Sequence, residues 1–115
     1  MPLLLQNIKK RPEFLKISKI GQKKYTKGFI LQKLKRNDSM NKFLDKDCLR
    51  IGLTVTKNVG TAVVRNKIKR RLRNIFHEIL TIMGKKNHDY VIIANKKAAI
   101  MNYKELKEDL IKAIN

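Results

Sequence analysis

The sequence predicts an α+β or α/β two-layer sandwich, and three segments carry that prediction. Residues 49–56 alternate, with Leu49, Ile51, Leu53 and Val55 on one side and Arg50, Gly52, Thr54 and Thr56 on the other. That is the period-2 pattern of a strand with two distinct faces, one to pack and one that is wet or meets a ligand. Across residues 62–83 the apolar Val64, Ile68, Leu72, Ile75, Phe76, Ile79 and Met83 recur at three- and four-residue steps. This spacing predicts a helix of about six turns with a single buried seam. The run Asp89-Tyr90-Val91-Ile92-Ile93-Ala94 reads as a buried strand. Helix, strands, helix, strand, helix is the order that packs a sheet against helices.

The other elements follow from local signals. Pro12-Glu13 opens a short helix, because proline suits the first turn, and Phe14, Leu15 and Ile17 give it an apolar face. Gly21 ends it. Phe29-Ile30-Leu31-Gln32-Lys33-Leu34 reads as a strand, and residues 35–46 as a polar loop turning at Asn37-Asp38-Ser39. Lys57-Asn58-Val59-Gly60 turns the chain and Thr61 caps the long helix. Gly84-Lys85-Lys86-Asn87 closes it. Residues 103–114 form a last amphipathic helix with Leu106, Leu110, Ile111 and Ile114 inward. No repeat or Gly/Ser linker divides the chain, so residues 1–115 are one domain, with 1–7 a flexible N-terminus.

Charge points to the partner. The chain carries 28 basic and 9 acidic side chains, a net charge of +19. A compact domain bears such self-repulsion best beside a polyanion. Four of the seven arginines, Arg65, Arg70, Arg71 and Arg73, fall within nine residues of the long helix. Guanidinium grips phosphate through two parallel hydrogen bonds, whereas lysine offers a point charge. On a helical wheel Arg65, Lys69 and Arg73 flank one side of the seam, Lys67 and Arg71 flank the other, and Arg70 points away. A merely solvated helix would mix in acids, yet Glu78 is the only one between Thr61 and Met83. The wheel does not say which flank meets the ligand.

Other function classes find less support. No apolar run approaches the ~18 residues of a membrane span. The single cysteine, Cys48, excludes an internal disulfide, reads as a small apolar side chain at a strand edge, and suits a reducing compartment. His77 and His88 are the only histidines, and no Cys/His spacing for zinc occurs. The acids are scattered, Asp45 and Asp47 reading as loop residues, so a catalytic centre of protein side chains is not expected. Phe76 and Tyr90 fit the core. Phe14 and Phe29 are either core residues or the floor of a cleft where unpaired bases stack.

The run from Arg50 through Gly60-Thr61 to Arg65-Asn66-Lys67-Ile68-Lys69-Arg70 resembles the signature of the bacterial ribonuclease P protein component. That family has a strand and glycine turn followed by a helix carrying an Arg-Asn-Arg motif and further basic residues. The flanks are similar too: Arg11-Pro12-Glu13-Phe14 through Gly21, Phe29-Ile30-Leu31 and residues 89–94 look like the family's first helix, first strand and last strand. About residues 8–114 are covered.

The resemblance implies an αβββαβα sandwich like ribosomal protein S5 domain 2, with its long helix crossing left-handed between neighbouring parallel strands. That is a rare hand. It implies the cytoplasmic protein subunit of an endoribonuclease that removes the 5′ leader of precursor tRNA. Hydrolysis would be carried by the RNA subunit with Mg2+, bound mainly by RNA. The partners would be the catalytic RNA and the precursor tRNA leader, held in a cleft between the sheet and the long helix, with no membrane and no DNA. Carried over by position, Arg65, Asn66, Lys67, Lys69, Arg70 and Arg73 would contact RNA. Phe14, Phe29, Thr54 and Thr56 would line the leader cleft. Lys67 stands for the motif's second arginine, which removes a bidentate contact. Ser18 and Gln32 stand where many members carry aromatics, making stacking weaker and more polar. A ribosomal or other structural RNA-binding protein would share the composition and the helix. A helix-turn-helix DNA reader would need a short helix before the reading helix, which is lacking.

Overall fold

The computed structural model describes residues 5–8, 11–36, 48–85 and 87–114. Its elements are β1 (Leu5–Asn7), α1 (Arg11–Ile20), β2 (Gln22–Tyr25), β3 (Phe29–Lys35), β4 (Leu49–Thr54), α2 (Ala62–Met83), β5 (His88–Ala94) and α3 (Tyr103–Ile114). Short 3-10 turns at Lys57–Val59 and Lys96–Ala99 precede α2 and α3. The order after β1 is the expected αβββαβα. The Asn37-Asp38-Ser39 turn lies outside the described residues.

One mixed sheet runs β1-β4-β5-β3-β2. β4 and β5 are parallel neighbours joined through α2, while β3 is antiparallel to both β5 and β2. Side chains at every second position therefore divide between two faces. Phe29, Leu31, Leu49, Ile51, Tyr90 and Ile92 pack against Ile68, Leu72, Ile75, Phe76, Ile79 and Leu80 of α2 and Leu106 and Leu110 of α3. This is the main core, and it uses the seam the spacing predicts. On the opposite face α1 buries Ile17 against Ile8 and Val91, with Phe14, Leu34 and Ile93 around them.

α2 begins as its sequence dictates: the Thr61 side chain accepts a hydrogen bond from the Val64 N–H, satisfying one orphan donor of the first turn. It ends at Gly84, whose N–H donates to the Leu80 carbonyl at 2.9 Å.

Two expectations change. Residues 1–7 are not wholly a flexible terminus, because Leu5–Asn7 pair in parallel with Leu49–Ile51 of β4. The second face of β4 is not wet at Arg50 and Gly52: α1 covers both, and Arg50 is 6% exposed.

Candidate nucleic-acid interface

α2 presents its cations in three directions, and the structure separates them. The Arg71 guanidinium donates to the Met101 carbonyl at 3.3 Å, so this flank is turned towards the segment leading into α3. Glu78, on the same side, accepts from Lys107 Nζ at 2.6 Å and from the Tyr103 hydroxyl at 3.1 Å. The Lys107 ammonium, then the Tyr103 hydroxyl, holds its carboxyl below the usual range. The helix's single acid is thus paired with α3. Asn66, Lys67, Arg70 and Arg73 are exposed, and Arg65 and Lys69 half-buried.

The Arg65-Lys69-Arg73 flank borders a groove. Arg73 and Phe76 line it from α2, Ile51, Gly52 and Leu53 from β4, Phe14 from α1, and Asn7 and Ile8 from the N-terminal segment, enclosing about 280 Å³. The described β1 ends at Asn7, on the rim of this groove. The Ile8 N–H donates to the Ile51 carbonyl at 2.7 Å, and beyond that bond no described strand pairs with this edge of β4. Strand groups two residues apart point the same way, so the Leu53 N–H and carbonyl face the open edge. A groove with an aromatic on one wall, a guanidinium on the other and main-chain donors and acceptors between suits unpaired nucleotides.

Arg65 differs from the other cations of α2 at one atom. Its Nε is withdrawn from solvent with no hydrogen-bond partner among the described residues, which is uncommon for a buried polar atom.

Of the expected cleft residues, Phe14 lines the groove, Thr54 is half-buried on the same sheet face, and Thr56 is exposed. Phe29 does not belong there. It is 0% exposed and sits in the main core on the opposite face, so it has no surface to offer a base. Sequence reasoning missed Asn7, Ile8 and Leu53, which contribute through β1 and the strand edge. The Gln32 side-chain amide donates to the Ser18 hydroxyl of α1 at 3.5 Å.

The comparisons decide the family. The sequence profile described as Ribonuclease P matches residues 5–115. The chain belongs to the ribonuclease P protein family. The ribonuclease P protein component of Listeria monocytogenes is 41% identical over 104 residues, covering 90% of this chain and 81% of the relative. The Staphylococcus aureus RNase P protein superposes with a TM-score of 0.76 at 29% identity, over 94% of this chain and 91% of the other. The Thermotoga maritima RNase P protein gives 0.76 at 26% identity, over 95% and 94%. Membership places the chain in an endoribonuclease complex of tRNA processing, whose partner is the RNase P RNA.

Two further features matter in a family member. No described helix is long and apolar enough to cross a membrane. The family implies magnesium, but among the described residues no group of three or more His, Cys, Asp or Glu could hold a metal ion. Glu13 and Asp89 bind arginines, and Glu78 binds Lys107. These residues do not fit a protein-held magnesium.

Proposed function

We propose that this protein docks on the catalytic RNA of ribonuclease P through Arg65, Asn66, Lys67, Lys69, Arg70 and Arg73, and holds the 5′ leader of precursor tRNA in the adjoining groove. Phe14 stacks on a leader base, Thr54 and Thr56 line the path, and the Leu53 main chain meets base or ribose edges. The side chains position and screen charge. Hydrolysis belongs to the RNA, which also carries the magnesium. Arginine forks match phosphate geometry and release counterions on binding. If about six phosphates are neutralised, log affinity falls against log salt with a slope near −4 to −5.

One observation carries the reading: a row of cations with no acid paired to them among the described residues, beside a groove whose far wall is Phe14. The test is precursor-tRNA cleavage by the cognate RNA at low magnesium, with and without the protein. A gain in rate or substrate affinity is expected, and no gain refutes the proposal. Crosslinking of the groove to the 5′ leader separates it from a purely structural RNA-binding role.

A further inference from the structure

We propose that Glu13 is a positioning residue that sets where the Phe14 ring stands in the groove. The inference rests on the leader-binding reading above and concerns a residue that touches no RNA in it.

The geometry is a two-point lock between α1 and β4. Arg50 and Gly52 are neighbours on the sheet face that α1 covers, and Glu13 and Phe14 are consecutive in the first turn of α1. Arg50 donates one N–H to Glu13 Oε2 at 2.9 Å. Its other donors grip Asp89, Nε to Oδ1 at 2.9 Å and the second terminal nitrogen to Oδ2 at 2.7 Å. The guanidinium is therefore held at both oxygens of a fully buried carboxylate and has no freedom to follow α1; Glu13 must come to it. The hydrogen bond and charge of Asp89 raise the Arg50 pKa, leaving the guanidinium a permanent cation. One residue on in α1 and two on in β4, the Phe14 ring lies where a Cβ on Gly52 would fall 2.5 Å from its Cε1 and 2.9 Å from its Cζ. Only glycine admits the ring at that spot.

Adhesion alone does not call for this arrangement. Ile17, 1% exposed among Ile8 and Val91, already fastens α1 to the sheet. Apolar contacts tolerate rolling and sliding, whereas a planar fork fixed at two nitrogens by Asp89 offers its third to a carboxylate from one direction. Partly buried ion pairs contribute little net stability over apolar packing, and orientation is what they add. Rolling α1 by one residue's turn would remove Phe14 from the rim and close or widen the groove.

The test compares holoenzyme affinity for a precursor with a long leader against one trimmed to a single leader nucleotide. Glu13→Ala should cut the long-leader advantage by at least about fivefold, the weak end of one base–aromatic stack. Affinity for the RNA subunit should stay unchanged, because that contact lies on α2. Glu13→Gln, which keeps an acceptor for Arg50, should retain most of the advantage. Gly52→Ala displaces the ring without touching the ion pair and should reproduce the loss. An unaltered advantage in both Glu13→Ala and Gly52→Ala overturns the inference, as does a parallel fall in RNA-subunit affinity, the mark of plain destabilisation. If the wild-type protein shows no leader advantage at all, the functional reading itself fails.

Discussion

Asp89→Asn should be the most damaging single-atom change in the molecule. Asp89 is fully buried and accepts three charge-assisted hydrogen bonds, at 2.7 Å from Arg36, and at 2.9 and 2.7 Å from Arg50. Arg36 is 1% exposed and donates also to the His88 and Cys48 carbonyls. Two guanidiniums meet the carboxylates of Asp89 and Glu13 there. The asparagine amide removes one negative charge and turns a donor towards donors. Arg50 keeps Glu13, but both guanidiniums lose the buried carboxylate they share, and breaking such a pair costs about 3–5 kcal/mol. Domains have only about 5–15 kcal/mol in total. At about 4 °C per kcal/mol for a chain of this size, the midpoint should fall by about 12–20 °C. Urea and thermal unfolding followed by circular dichroism measure this directly. A loss below about 1 kcal/mol would refute the account of Asp89 as the centre of the network.

Two other outcomes are expected. Arg65→Ala should weaken RNA binding far more than Lys96→Ala and reduce the salt slope by about one unit; equal effects, measured by titration at several salt concentrations, would mean that bulk charge alone matters. Lys33 has its pKa lowered by partial burial, then by the Lys85 and Lys24 ammoniums. A lowered folded-state value means the charged form is disfavoured by folding, a penalty present at neutral pH and relieved as pH rises through that value. Lys33→Gln should therefore raise stability slightly at pH 7, by no more than about 0.5 kcal/mol after solvent screening, and by nothing in strong alkali; melting curves across pH check both.

The sequence made the core legible where periodicity has a physical cause. The seam of α2 and the alternation of β4 and β5 follow from burial on one side, and the Thr61 cap from an orphan N–H. β2 left no such trace: Gln22-Lys23-Lys24-Tyr25 is exposed throughout and is a strand only through main-chain pairing with β3. β1 is three residues held in the same way. Arg50 reads from its alternation as an outward cation, because no pattern distinguishes a solvated guanidinium from one enclosed with distant acids. Phe14 and Phe29 are equivalent as letters. The packing of α1 on one sheet face and of α2 and α3 on the other separates them, one at the rim and one in the core. The arginine cluster was legible, but which of its flanks stays open was not, since only the docking of α3 shows which side is occupied.

The brevity of β1 has an architectural meaning. Three more paired residues would carry that strand past Leu53, pair main-chain groups that no described strand now meets, and seal the slot between Phe14 and Arg73. The first strand thus works as a doorstop, long enough to steady its neighbour and short enough to keep the entrance ajar. Splicing in a longer first strand should yield a well-folded protein that still grips the catalytic RNA yet no longer distinguishes precursor from mature tRNA.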